Sequence, residues 1–391
     1  MTDPVQKYDY LLKDDGPAAI VLKQPLLSVE GSDVPIFPPT YAAPKGDPNS
    51  KPRYNIDGKE GNSLTCVIDS IGSQANRVEP IFKNDKYKHL VPQIVITHGG
   101  GSTNLLDIGH RVADAMIRFS ELIVEIHNAF ISHRDGDPIP MAKLAPTSLV
   151  FGAWDSRGTL HKIMRLINLR IDATNVEEFT RSAQYIPATD YVGNGLIEEV
   201  DESTGSDLGF AAVPAGGQLG GVRVHGQIIR SGSLNLTTIQ SLYGNHQFPD
   251  LQRYILGLAL VSITAFENTA FSLRQGCQLF NHPDHPRTLQ TVSSSGKMEK
   301  FPITSEEALQ YATTAAEKFG VGDNRNVAFD SPLANRVRSL WTDKSIREKL
   351  KELAKTKPLT MNELDDFEVK KSKKANKKNK SDAQDKEEPD K

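Results

Sequence analysis

Hydrophobic residues recur at alternating steps of four and three between positions 63 and 82. They are Leu64, Ile68, Ile71, Ala75, Val78 and Phe82. This spacing predicts one amphipathic helix, with Asn62 or Ser63 as its N-cap, because residues three and four apart share a helix face. The opposite face carries Ser70, Ser73, Gln74, Asn76 and Arg77. Amides with one guanidinium can hold phosphate and ribose oxygens without selecting a base, so this face is a candidate RNA contact. The alternative is a face that is simply exposed to solvent or that packs against another polar layer.

The same patterning predicts the other elements of the chain. Strands are expected at 18–30, where Pro25 either interrupts one strand or divides a pair, and at 93–97, 167–172 and 222–229. Helices are expected from Asp107 to about Ile126, from Trp154 to Met164 or Arg165, and from Leu251 to Phe266. The last is apolar on nearly every side and should be the most buried helix.

Two of these strands alternate apolar residues with basic or polar ones. Arg170 lies between Leu169 and Ile171, and Arg223 lies between Val222 and Val224. A sheet with one apolar and one basic-polar face suits helices behind it and a strand of RNA in front, so the predicted class is α+β with a modified RNA-recognition (ferredoxin-like) sheet. The pair of base-stacking aromatics of an ordinary RNA-recognition motif is not visible on these strands.

Composition indicates one large folded domain, 1–369, and a charged tail. Residues 31–62 are rich in Gly, Pro and Asp and predict a long loop, whereas 181–221 combine many glycines with few regular periods. Residues 370–391 hold nine lysines and five acids and are expected to be disordered. The chain as a whole carries −3, so the part before the tail carries −7 and any RNA surface there must be a local stripe.

Cysteine content and hydropathy indicate the cellular compartment in which the protein is expected. Cys66 and Cys277 are the only cysteines, too few for a disulfide framework, and the run 255–266 is too short to cross a bilayer. These features predict a cytoplasmic protein with no membrane partner. Cys66 lies among apolar residues and is expected to be a buried thiol rather than a nucleophile.

Two clusters could carry other chemistry. Gly99 to Gly101 could cradle a phosphate at a helix start or form a plain turn, and it lacks the spacing of a nucleotide-binding loop. Potential metal ligands are concentrated at His98, Asp107, His110, His127, His133 and Asp135. None of these pairs has the spacing of a known metal motif, so neither a metal nor a cofactor is expected. His110 and Arg111 are better explained as phosphate contacts, with a packed histidine as the alternative.

Five short motifs carry a family resemblance. They are Asp69-Ser-Ile-Gly-Ser-Gln-Ala-Asn-Arg-Val-Glu79, Phe37-Pro-Pro-Thr-Tyr41, His110-Arg-Val-Ala-Asp-Ala115 with Arg118, Phe151-Gly-Ala-Trp-Asp-Ser156 and Leu273-Arg-Gln-Gly-Cys277. Together they resemble the backbone subunit of type I-U (I-G) CRISPR surveillance complexes, a GSU0053-like branch of the RAMP superfamily.

The resemblance implies a palm with a helical insertion and a projecting thumb hairpin, which would fall within 181–221. Copies of the chain would polymerise along a guide RNA, whose bases would pair with target DNA. Other effector subunits and a recruited helicase-nuclease would be partners, and this chain would not be an enzyme. The expected RNA contacts are Gln74, Asn76, Arg77, His110, Arg111, Arg118, Arg157, Arg170, Arg223 and Arg230. Two alternatives stay open: a structural assembly protein, and a metal-dependent endoribonuclease of the same superfamily using Asp69 or Asp107.

Overall fold

The computed structural model describes residues 4–42, 52–58, 64–242, 248–267 and 269–365. The predicted tail 370–391, the caps Asn62 and Ser63 and part of the loop 31–62 lie outside these ranges. The strands are β1 (Ala19–Ser28), β2 (Ile56–Asp57), β3 (Thr65–Asp69), β4 (Ile94–His98), β5 (Gly101–Asn104), β6 (Ala153–Trp154), β7 (Lys162–Ile163), β8 (Ile167–Thr174), β9 (Val176–Tyr185), β10 (Val213–Val224), β11 (Ile228–Asn235), β12 (Phe271–Arg274), β13 (Cys277–Asn281), β14 (Thr288–Val292), β15 (Met298–Lys300) and β16 (Arg325–Ala328).

Helices form many of the connections between these strands. The α-helices are α1 (Ile71–Val78), α2 (Ala115–Arg118), α3 (Ile123–Arg134), α4 (Ile139–Leu144), α5 (Pro146–Phe151), α6 (Glu202–Leu208), α7 (Leu236–Leu242), α8 (Pro249–Thr264), α9 (Ser305–Phe319), α10 (Ser331–Leu340) and α11 (Lys344–Ala354). Short 3-10 helices are formed by Pro4–Leu11, Glu79–Lys83, Lys88–Leu90, Leu105–Asp107 and Arg111–Ala113. None of the helices within these ranges is long and apolar enough to cross a membrane.

The main sheet is antiparallel and curves around the helices. Its order is β12-β13-β1-β11-β8-β3-β2, and β14 also pairs with β1. Strands β11 and β13 both run antiparallel to β1, which lies between them, and the chain passes from β11 to β13 through helices α7 and α8 and strand β12. The mixture of helices with an antiparallel sheet confirms the α+β class.

One face of the sheet is apolar and packs against the helices. Ile20, Leu22, Leu169 and Leu234 share a core cluster with the nearly fully buried helix α8. The predictions of a strand at 18–30, a strand near 93–97, a strand from Ile167 and a buried helix from Leu251 are confirmed. Pro25 lies within β1, which remains a single strand.

The single helix predicted from Ser63 to Phe82 is wrong in its first half. Residues 65–69 form β3, because they pair with β8 over a register that includes Cys66 opposite Ala173. Helix α1 begins only at Ile71, where Oγ of the N-cap Ser70 accepts a hydrogen bond from the Ser73 backbone at 3.3 Å. The apolar positions of a strand and of the helix that follows it can together match the three- and four-residue spacing of a single long helix.

Three further predictions of secondary structure need correction. The helix predicted from Asp107 to Ile126 is broken into two 3-10 turns, α2 and the start of α3, and the helix predicted from Trp154 is the hairpin β6–β7. The strand predicted at 222–229 is the end of β10 and the start of β11, with a turn between them.

Strands β9 and β10 form a separate two-stranded ribbon, the β9–β10 arm (176–224). The arm leaves the sheet after β8 and returns to it at β11. Its buried apolar side chains, Val176 and Val222, both lie at its base. Ile186, Leu196 and Leu208, beyond the paired strands, are among the most exposed large apolar residues of the described chain. The range 181–221, where the family resemblance places a thumb hairpin, lies within this arm, and the role of the arm as a thumb stays a prediction.

Candidate nucleic-acid interface

A cleft of about 630 Å³ opens between α1, the turn before Arg111 and the β6–β7 hairpin. It is lined by Gly72, Asn76, Gly109, His110, Arg111, Phe151, Gly152, Ala153, Trp154, Lys162, Ile163, Met164, Arg165 and Asn168. Segments that are distant in the sequence, including parts of three of the five motifs, therefore meet in one place. Of the predicted contacts, Asn76 and His110 are exposed in this cleft.

The floor of the cleft is held by a buried ion pair. Nε of Arg111 donates to Oε2 of Glu79 at 2.6 Å, and both side chains are almost completely buried. The two terminal nitrogens of Arg111 reach the Gly152 carbonyl at 3.3 Å and Oδ1 of Asn76 at 3.4 Å. Burial raises the pKa of Glu79 to about 7, against the opposing effect of Arg111. Arg111 thus joins the first, third and fourth motifs as a structural residue, and the prediction that it contacts RNA is not supported.

A second arginine anchors the β6–β7 hairpin to the end of α5. Nε of Arg165 donates to the Phe151 carbonyl at 2.9 Å. The next residue, Gly152, has φ +78°, and a Cβ there would lie 3.1 Å from the Ile163 carbonyl oxygen and 3.2 Å from Cβ of Arg165. The positive φ and this close approach both favour glycine. Together with Arg111, these contacts fix where the hairpin leaves the helix.

The loop of the hairpin is closed by Asp155. Its Oδ2 accepts from the backbone nitrogen and the hydroxyl of Thr159 at 2.6 and 2.9 Å. Arg118 lies against the same loop. Its Nε is 3.7 Å from Oδ1 of Asp155, and its Nη2 donates to the Arg157 carbonyl at 2.8 Å. Arg118 is mostly buried and orders the loop, whereas Arg157 itself is exposed.

The open face of the main sheet adjoins this cleft. On β8, Asn168 and Arg170 are exposed while Ile167, Leu169 and Ile171 are buried, as the alternation predicted. The register places Arg170 opposite Ser231, and Ser231 opposite the exposed Lys23 of β1. Because directly paired residues share a face, Lys23, Ser231 and Arg170 form a polar row across three strands. Asn168 belongs to both this face and the cleft.

Two predicted contacts, Gln74 and Arg230, lie in the interior instead. Nε of Arg230 donates to Oε1 of Gln74 at 2.8 Å, and its Nη1 donates to Oε1 of Gln24 at 2.9 Å. Gln74 in turn donates to Oδ2 of Asp69 at 2.7 Å. Arg230 and Gln74 have no exposed surface, so they cannot line an RNA-binding surface in this fold. Burial lowers the pKa of Arg230 to about 9 and raises that of Asp69.

Arg77 and Arg223 lie outside the cleft. Nε of Arg77 is 3.1 Å from Oδ2 of Asp69, and about a third of its side chain is exposed. The guanidinium of Arg223, on the β9–β10 arm, lies over the ring of Phe179 at 5.1 Å. Arg170 pairs with Asp172 on its own strand but remains about half exposed. The structure therefore does not bring the ten predicted residues together as one surface.

The alternative chemistries find little support in the described geometry. Asp69 is buried in the network above, and the exposed Asp107 pairs with Lys83. Gly99 and Gly100 form the tight turn of the β4–β5 hairpin, so no helix begins there to hold a phosphate. Within the described ranges, no three His, Cys, Asp or Glu side chains are grouped to hold a metal ion. Cys66 is fully buried as predicted, and burial raises its thiol pKa to about 12.

Several residues of this surface were missed from the sequence, namely Lys23, Trp154, Lys162, Met164, Arg165 and Asn168. A signal was present, because residues 157–170 contain four arginines or lysines and no acid in a chain of net negative charge. It was obscured by the expectation of a helix over Trp154–Arg165.

Comparison with known proteins agrees with the resemblance found in the motifs. Residues 20–178 match the family model of the CRISPR-associated protein GSU0053, a range that contains all but the first residue of β1, together with α1, the cleft and β8. The similarity to that family is therefore confirmed over this range. No curated protein matches the chain. Among solved structures, a chain of a CRISPR RNA-guided surveillance complex, pre-nicking, is similar at 10% identity and a TM-score of 0.29, over 83% of this chain and 90% of that one.

Proposed function

Taking the family match over residues 20–178 as the premise, we propose that this chain is a CRISPR effector subunit that binds guide RNA along the cleft and the open sheet face. The observation that carries the proposal is the meeting of three motif segments in one cleft, which continues through Asn168 into the polar row of Lys23, Ser231 and Arg170. Amides and cations in such a track suit the sugar-phosphate backbone, which every sequence shares.

The wider role follows from the family resemblance. The sheet acts as a palm of RNA-recognition type, and copies of the chain follow one another along the guide RNA as a filament. The β9–β10 arm separates groups of exposed bases, which pair with target DNA. Other subunits complete the complex, in the cytoplasm, and a recruited helicase-nuclease cuts the DNA.

Phosphate contacts of this kind have a measurable signature. Lys23→Ala, Lys162→Ala and Arg170→Ala should each weaken binding of unrelated single-stranded RNAs about equally, and each should reduce the slope of log K against log salt by about 0.7. Lys349→Ala is the matched control, because Lys349 is an exposed lysine on α11 that does not line the cleft. Unchanged slopes in all three variants would contradict the assignment, and sequencing of co-purified RNA should identify guide RNAs.

We also propose that the chain does not cut nucleic acid, since Asp69 is sequestered by Gln74 and Arg77. Complementary RNA and DNA should remain intact when incubated with RNA-loaded protein and magnesium or manganese. Cleavage that Asp107→Ala or Asp69→Ala abolishes would replace this proposal by the endoribonuclease alternative.

A further inference from the structure

The cleft contains two large apolar side chains that the fold leaves uncovered. Trp154 is 60% exposed and Met164 is 54% exposed, and both line the cleft. Only one other tryptophan, Trp341, is present in the whole sequence. Exposure of an indole at the wall of a concave site, rather than on a convex surface, is typical of a residue that a ligand covers.

The register of the β6–β7 hairpin directs Trp154 and Lys162 to the same side. Trp154 pairs with Lys162, and Ala153 pairs with Ile163. Ala153 and Ile163 are buried in the main core, so the opposite face of the hairpin presents the indole and the ammonium group together. An aromatic ring beside a cation matches one nucleotide, which offers a base to the ring and a phosphate to the charge.

The hairpin is held in place before any ligand arrives. Arg165 and Arg111 bind the carbonyls of Phe151 and Gly152, and Asp155 closes the loop through Thr159. A fixed aromatic surface loses little conformational freedom on binding, which favours affinity.

The positive charge around the cleft favours a nucleic acid over an apolar protein segment as its ligand. Lys162 and Arg165 line the cleft, Arg157 lies in the hairpin loop, and residues 156–171 contain no acid. A neutral apolar segment would gain nothing from this concentration of positive charge, whereas a polyanion would.

We propose that Trp154 is a stacking platform for one unstacked base of single-stranded RNA, with Met164 lining the same site and Lys162 holding the adjacent phosphate. This inference rests on the proposed function and adds a base contact to an interface otherwise suited to the backbone. It requires no particular base, because every base has a face that can stack.

The test uses the full chain carrying Trp341→Phe, so that Trp154 is the only tryptophan and its fluorescence can be followed alone. The probes are a dye-labelled 20-nucleotide oligouridine and the same ribose-phosphate backbone without bases. Oligouridine should quench Trp154 fluorescence, and Trp154→Ala should weaken its binding about tenfold. Trp154→Phe should restore most of the affinity, whereas Trp154→Leu should not. The abasic backbone should bind the parent and the Trp154→Ala variant equally.

The outcomes separate the two proposals. If oligouridine binds but saturating amounts leave the fluorescence unchanged, or if Trp154→Ala binds it as tightly as the parent, the platform is refuted while the proposed function stands. If neither probe binds at any salt concentration, the proposed function fails and the platform fails with it. If Trp154→Ala changes the sedimentation of RNA-free protein, Trp154 contacts another copy of the chain, and the inference is overturned.

Discussion

Replacement of Arg230 by methionine would test whether the interior polar network stabilises the fold. Arg230 lies on the core face of β11, between Gln24 of β1 and Gln74 of α1, and its guanidinium lies 5.3 Å from the centre of the Phe271 ring. Methionine retains much of the apolar stem but donates no hydrogen bond. The change therefore leaves the amide oxygens of Gln24 and Gln74, which are almost completely buried, without the arginine that paired them.

The size of the effect follows from these contacts. Each buried hydrogen bond from a charged donor contributes about 1.5–3 kcal/mol, and relief from desolvating the guanidinium offsets part of the loss. We expect the free energy of unfolding to fall by about 3–5 kcal/mol, because two such hydrogen bonds are lost and two buried amide oxygens are left without this donor. That is a large share of the ~5–15 kcal/mol that stabilises a typical domain.

Urea unfolding at 25 °C, followed by circular dichroism, would measure the change. Arg325→Met is the matched control, because Arg325 and its partner Glu125 are both more than a third exposed, so its loss should cost at most about 1 kcal/mol. A double-mutant cycle of Arg230→Met with Gln74→Met should give a coupling energy of about 1–3 kcal/mol. Equal costs for the two arginines, or strictly additive effects in the cycle, would refute the reasoning.

Two further predictions concern the support of the β6–β7 hairpin. Gly152→Ala forces a side chain into a positive-φ position against the Ile163 carbonyl, so thermal unfolding should show a loss of about 1–3 kcal/mol and the Trp154 emission maximum should shift; an unchanged melting temperature would contradict this. Burial and the adjacent His161 lower the pKa of His133 to about 4, below its unfolded value of about 6.5. The neutral His133 side chain therefore contributes its full stabilisation above pH 6.5, and this contribution is lost as the pH falls towards 4. His133→Gln should make the free energy of unfolding depend less on pH over that range, and an unchanged pH dependence would contradict the role given to His133.

Local patterning predicted the parts of this fold that depend on local sequence. Alternation from Ile167 gave β8 with the correct face exposed, and the continuous apolar run from Leu251 gave the buried helix α8. The division of 63–82 into strand and helix could not be found in this way. It depends on pairing of Cys66 with Ala173, a partner more than a hundred residues away.

The candidate site was harder to predict for the same reason. Gln74 and Arg230 are polar and were expected at the surface, but each is buried because the other supplies a hydrogen-bond partner from a remote segment. Alternation along β11 places Arg230 on the core side, on the same face as the buried Ile228 and Leu234.

The β9–β10 arm returns to the sheet at nearly the point where it leaves. Ala173 pairs with Ile228, and backbone hydrogen bonds join His225 to Asn175 and Gly226 to Thr174 across its base. The sheet is therefore complete without the arm, and no strand would have to change partners if the arm became longer or shorter. Such a closed base allows the length of the arm to vary independently of the stability of the core. For the same reason, residues beyond the buried base are a natural place to insert a tag or a reporter domain.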